Sequence, residues 1–273
     1  MEFLKYIVLF LNSLNLRKGE KLMFEVNVGK KEVPWSQRKS KFVHIQRGQL
    51  GFNQINWKST CNTHAICNAL EYSGWSLPID NVYKRAPDSL ANFIITECLK
   101  ENNWFKTKMP VYWNKWYEGQ KDAITPLELH DVLAHYVNEW LGCTKADVFH
   151  TDLTIRDIIK QLYEKNIAIP TSIAWGGLQG HVITLVGFEA TSEKELNDYL
   201  NGYDNNKKAS DVITNIIWDD PWGFFDYKTN KYDGTKSGND NKAPIDFFWN
   251  HMKALENKNR KFGHIIAKPA AIV

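Results

Sequence analysis

Ala168-Ile-Pro-Thr-Ser-Ile-Ala-Trp-Gly-Gly-Leu-Gln-Gly-His-Val-Ile-Thr-Leu-Val-Gly-Phe188 is where the character of the chain changes. Two short β-branched runs, Ala168 to Ala174 and His181 to Phe188, flank Gly176-Gly177, which is the pattern of two strands joined at a turn. Ile213 to Trp218 repeats it. Upstream the apolar residues fall at helical spacing instead. Cys61 to Tyr72 carries Ala65, Ile66, Ala69 and Leu70, with Ser59 and Thr60 available as caps and Gly74 where a helix stops. Helices are also expected at Leu90 to Glu101, at Thr125 to Leu141 behind the start signal Thr125-Pro126, and at Thr154 to Lys165. Helices first and strands second make an α+β unit with a seam near residues 166 to 170, and active sites commonly occupy such clefts.

Working outward, Ser192 to Asn206 reads as an insertion holding a short helix, Glu193 to Leu200, and a polar tip. Lys228 to Lys242, rich in Gly, Asn, Asp and Lys, reads as a surface loop before a last helix near Ile245 to Glu256. Toward the N-terminus, Phe24-Glu-Val-Asn-Val and Phe42-Val-His-Ile suggest short strands. Residues 1–48 form a lead-in segment and 49–273 the main domain. The 273 residues, 43% apolar, suffice for one large core. The net charge of +3 is small, and the early basic residues such as Lys30, Lys31, Arg38 and Lys39 read as a solvated face, so no nucleic-acid partner is expected. Four unevenly spread cysteines do not make a disulfide framework. Lys5 and the apolar run Tyr6 to Leu11 resemble a signal peptide only superficially, being broken at Asn12 and Asn15; Met23 is an alternative start. No stretch reaches the length of a membrane span.

A thiol nucleophile needs help to ionise, and the first turn of a helix supplies free N–H groups and a favourable dipole. Cys61 stands at that position, while Cys67, Cys98 and Cys143 fit buried or helix-end sites. A thiolate also needs a base, and Gly180-His181 at the head of an apolar strand is the best placed of the eight histidines. Ile217-Trp-Asp-Asp-Pro-Trp-Gly ends another strand in carboxylates able to orient that imidazole, with Asp219 and Asp220 both candidates. For an oxyanion, the side chain of Gln54, seven residues before Cys61, competes with Asn53 and Asn56.

In order and spacing, Gln54, Thr60-Cys61-Asn62, Gly180-His181-Val-Ile-Thr-Leu-Val-Gly-Phe188 and Asp220-Pro221-Trp-Gly223 resemble the bacteriocin-leader-peptidase-like branch of the papain-fold cysteine peptidases. The similarity covers roughly residues 50 to 225, and His64 stands where that family usually has Thr or Ser. The resemblance implies a papain-like fold, with a nucleophile helix packed on an antiparallel sheet that carries His181 and Asp220. It further implies a Cys61–His181–Asp220 triad with Gln54 assisting, and a thiol protease or amidase of the kind found in bacterial and bacteriophage cell-wall (peptidoglycan) hydrolases. No cofactor or metal is implied, and the partner is a peptide or peptidoglycan substrate. Trp175 and Trp222, beside these motifs, are the expected groove residues. The cytoplasm, the virion and the cell wall all remain open as compartments.

Two rival readings stand beside this one. Cys61, His64 and Cys67 are zinc-ligand types, but no second pair completes a tetrahedral set. The eleven tryptophans and eleven tyrosines would suit a carbohydrate- or peptide-binding module without catalysis. Such a module has no need of Cys, His and Asp in this order.

Overall fold

The computed structural model describes residues 23–29, 44–48, 51–55, 60–120, 123–143, 148–175, 178–203, 207–233, 235–252 and 261–266. Its elements run β1 (Phe24–Asn27), β2 (His44–Gly48), β3 (Gly51–Ile55), α1 (Cys61–Tyr72), α2 (Ala86–Cys98), α3 (Trp104–Lys108), α4 (Pro110–Tyr117), α5 (His130–Trp140), β4 (Val148–Leu153), α6 (Ile155–Tyr163), β5 (Ile169–Trp175) and β6 (Leu178–Ala190). They continue with α7 (Glu193–Asn201), β7 (Ile213–Asp219), β8 (Phe224–Asp226), β9 (Lys231–Asp233), β10 (Asn241–Pro244), α8 (Ile245–His251) and β11 (Lys261–Ile266). The class is α+β, with the early helices packed on an antiparallel sheet. None of the described helices is long and apolar enough to cross a membrane.

The main sheet has the order β10-β7-β6-β5-β11-β4, and β1 pairs with β6 off that path. The long strand β6 makes this possible. Its first part, to Leu185, pairs with β5, and its last part, Gly187 to Ala190, takes β1. Part of the segment before residue 49 thus belongs to the main sheet, and the β2–β3 hairpin runs across that boundary.

Helix α1 sits between α2 and strands β5 and β6. That explains why it is buried almost all round, from Cys61 to Leu70. Ile66 and Leu70 join Leu90, Ile94, Leu133 and Val137 in the core, and each such side chain contributes roughly 1.5–3 kcal/mol when fully buried. The polar residues α1 carries inward must find partners. Thr63 Oγ1 donates to Thr60 O at 3.0 Å, and Asn62 Nδ2 donates to Leu127 O at 2.7 Å.

Several local expectations shift. The helix expected from Leu90 begins at Ala86, because Pro87 suits a first turn and the buried Asp88 is held by Arg85 at 2.9 Å. The Thr125 to Leu141 helix is split: Pro126–Glu128 is a 3-10 turn, and Leu129, extended at φ −95 and ψ 111, separates it from α5. The aromatic run around Trp104 to Tyr117 forms α3, capped by Asn103, and α4, opened by Pro110, with Trp113 and Trp116 buried as core rather than as a binding platform. Lys228 to Lys242 is not all loop, since it contains β9 and leads into β10. The last helix stops at His251, and the Gly176-Gly177 turn and the tip of the 192–206 insertion lie outside the described residues.

Candidate functional site

Cys61 is the first residue of α1. Thr60 occupies the N-cap but makes no side-chain cap hydrogen bond, and the first turn carries no acidic residue, so the positive end of the helix dipole is not neutralised by a carboxylate. Two contacts fix this end of the helix against β6. Cys61 and Ala65, one turn apart, pack on Val182, and Thr184 Oγ1 donates to Ala65 O at 2.9 Å.

His181 arrives beside Cys61 through an irregularity in β6. Ile173 of β5 pairs with His181 and Ala174 with Gln179, which leaves Gly180 as an extra residue in the strand. Gly180 has φ 121, a conformation that glycine alone adopts without strain. Bulges of this kind bend a strand and re-aim the neighbouring side chain. The Gly180-His181 step therefore has a mechanical reason.

The carboxylate follows from register. Thr184 of β6 pairs with Asp219 at the end of β7, so the antiparallel course carries residue 220 back along β6 toward His181. His181 Nε2 donates to Asp220 Oδ1 at 2.7 Å. The other imidazole nitrogen is left for Cys61, whose thiol is within hydrogen-bonding reach of the ring. All three residues are buried, with Cys61 8%, His181 5% and Asp220 2% exposed. Burial drives His181 toward neutrality, but the charge and hydrogen bond of Asp220, with Cys61 behind them, prevail and raise it to about 10. An imidazolium held this way can pair with a thiolate and later donate a proton.

Of the two adjacent carboxylates, only Asp220 meets the histidine. Successive residues at a strand end face opposite sides. Asp219 turns to Tyr72, whose hydroxyl donates to Oδ2 at 2.5 Å, and to the Asp240 N–H at 2.9 Å from Oδ1. Burial, aided by the charges of Asp240 and Asp220 and opposed by those two hydrogen bonds, raises Asp219 to about 7. Asp220 is held on every side. Its N–H donates to Gly238 O at 2.8 Å, its Oδ1 accepts the Trp222 N–H at 2.8 Å, and its Oδ2 accepts the Tyr232 hydroxyl at 2.8 Å.

The remaining candidates fare unevenly. Gln54 lies in β3 opposite Ile45, and Asn53 opposite Gln46, but their side chains, and the whole of Asn56, are outside the described residues. Trp175 ends β5 opposite Leu178, and its side chain is likewise outside them. Trp222 is half-buried beside Asp220 and contributes its backbone N–H there. His64 points into the protein, fully buried, with Nδ1 on Thr60 O at 2.8 Å. Burial lowers it to about 4, against its contact with Thr60 and the charge of Asp88.

Tyr232 and Gly238 are the site residues that sequence reading missed. A signal for the first exists: Phe224-Phe225-Asp226 and Lys231-Tyr232-Asp233 are two short aromatic-bearing runs separated by the turn-forming Lys228-Thr-Asn230, and β8 and β9 pair with Phe225 opposite Tyr232. An open cavity of about 290 Å³ bordered by Ile79, Asp80, Phe93 and Trp140 contains none of Cys61, His181 or Asp220. No family model, curated protein or solved structure matches the chain.

Proposed function

We propose that this protein is a papain-like cysteine hydrolase that cleaves amide bonds with Cys61 as nucleophile, His181 as base and acid, and Asp220 as the group that orients His181. The observation that carries this reading is the convergence of the three buried residues from separate elements. Cys61 lies at the start of α1, against an imidazole whose far nitrogen is fixed by a carboxylate at 2.7 Å. A merely structural histidine does not require a thiol at a helix N-terminus on one side and an anion on the other.

The mechanism follows from these groups. The Cys61 thiolate attacks the amide carbonyl, forming a C–S bond and a tetrahedral oxyanion. Collapse expels the amine, which takes its proton from the His181 imidazolium. Neutral His181 then accepts a proton from water, which attacks the thioester and frees the carboxylic acid and the thiol. Asp220 keeps one tautomer and one ring orientation throughout. The Cys61 backbone N–H is a candidate oxyanion donor, with Gln54 as its side-chain companion.

The substrate class in best accord with the resemblance is a peptide: the stem or cross-bridge of bacterial cell wall, or a specific protein. An iodoacetamide-sensitive hydrolysis assay on peptidoglycan fragments and protein substrates tests this with wild type, Cys61→Ala and His181→Ala. Activity that disappears in both variants supports the proposal; full activity in Cys61→Ala overturns it.

A further inference from the structure

We infer that Tyr232 is a positioning residue of this site: its hydroxyl holds the far oxygen of the Asp220 carboxylate while its ring walls one side of the His181 imidazole. The inference deepens the hydrolase reading and rests on it.

The two oxygens of Asp220 are used differently. Oδ1 takes His181 Nε2 at 2.7 Å and the Trp222 N–H at 2.8 Å, and Oδ2 takes the Tyr232 hydroxyl at 2.8 Å. Among the described residues Tyr232 is the sole donor to Oδ2. The Asp220 side chain is 0% exposed, so water does not replace it. The Tyr232 ring stands edge-on to His181, at 6.2 Å and 90°. It is itself fixed by Phe225 at 5.0 Å, through the β8–β9 pairing. A hairpin outside the main sheet thus reaches in to lock a carboxylate that the main sheet delivers.

This has an electrostatic consequence distinct from packing. With thiol, imidazolium and carboxylate the site is neutral. Ionising Cys61 makes its net charge −1, and deprotonating His181 makes it −2. A buried donor to Asp220 favours the more negative state at each step, so removing it moves both steps to higher pH. Among the described residues, the other titratable groups beside Asp220 are Asp219 on β7, with Tyr72 and Asp240 against it. They are not altered by a change at Tyr232.

The test is the rate of iodoacetamide alkylation at Cys61, followed by mass spectrometry from pH 4 to 10 in the full-length protein. Tyr232→Phe keeps the ring and removes the hydroxyl. Both limbs of its profile are expected to move alkaline, by roughly half to one pH unit for the loss of one buried donor. In a second variant, 3-fluorotyrosine at position 232 strengthens the donor and moves the acid limb the other way. Leu200→Ala, on α7 and remote from the site, lowers stability without moving either limb. Unshifted limbs in a folded Tyr232→Phe, or a shift of equal size in Leu200→Ala, overturn the inference and leave the hydrolase reading intact. Should Tyr232→Phe not fold, an unmoved acid limb in the fluorinated protein overturns it equally. A wild-type Cys61 with no elevated reactivity sinks both.

Discussion

Gly238→Ala is a small change, eighteen residues along the chain from Asp220, and it should damage both stability and the site. A Cβ built on Gly238 falls 2.0 Å from Asp220 O, 2.9 Å from Asp220 C and 3.0 Å from Gly223 O. All are backbone atoms, so no side-chain rotation relieves the overlap, and the two backbone segments must separate by about 1 Å to reach the closest contacts that interiors tolerate. The separation strains two buried hydrogen bonds to Gly238 O, from Asp220 N at 2.8 Å and from Asn241 Nδ2 at 2.7 Å. Two weakened bonds cost about 1 kcal/mol each. Overpacking adds about 1–3 kcal/mol, and the stiffer unfolded chain returns about 0.4–1 kcal/mol. The net loss is roughly 2–4.5 kcal/mol, which for a chain of this size lowers Tm by about 4–8 °C. Because Asp220 moves with its backbone, Cys61 alkylation at neutral pH should slow roughly 10–100-fold, the order of effect of a 1 Å misplacement. Gly142→Ala is the control. Gly142 has φ 68 and nothing within 4 Å of the added carbon, so it should lose about 1–2 kcal/mol to backbone strain with no change in alkylation. Melting curves and alkylation rates for the two variants decide the matter. Gly238→Ala with wild-type Tm and wild-type Cys61 reactivity would refute the close approach and the route from Gly238 to the site.

Asp219 is raised from 3.8 to about 7, so the folded state holds that proton after the unfolded chain has released it; stability from this group is full below pH 3.8 and is lost as pH rises to about 7. His64 works oppositely. Lowered from 6.5 to about 4, it contributes stability above pH 6.5 that is lost as pH falls to about 4. The two slopes oppose each other between pH 4 and 6.5 in the wild type. Asp219→Asn should remove one of them, so that urea denaturation of the variant shows stability climbing over that interval by a few kcal/mol, on the order of 3; a slope unchanged from wild type contradicts this. Thr184→Val keeps the shape and removes the hydroxyl that bonds Ala65 O at 2.9 Å, and it should lower stability by about 1 kcal/mol in the same urea assay. A neutral result would show that this contact does not hold α1 to β6.

How much of this could be read beforehand follows from the range of the interactions involved. Helix α1 runs from Cys61 to Tyr72, as its local apolar spacing indicates, and β7 lies where the short β-branched run Ile213 to Trp218 falls. The choice between Asp219 and Asp220 was not available locally, because it depends on the register of β7 on β6 and on the alternation of side chains at the strand end. Strands β4 and β11 escaped reading for a related reason. They are defined by pairing with each other across more than a hundred residues, with β11 inserted between β4 and β5. Tyr232 and Gly238 lay in a stretch whose Gly, Asn, Asp and Lys content speaks for a loop. Their importance comes from what they touch, Asp220 Oδ2 and the Asp220 backbone, and composition carries no record of that.

The central claim is that Cys61 is activated by its surroundings, and competition with Cys143 tests it most directly. Cys61 is 8% exposed and Cys143 is the more exposed thiol, so accessibility alone favours Cys143. Limited iodoacetamide at pH 6, where an ordinary thiol is almost wholly protonated, should nevertheless label Cys61 first, and His181→Ala should abolish that preference. Cys143 labelled ahead of Cys61 in the wild type, or a preference for Cys61 that survives in His181→Ala, would contradict the account.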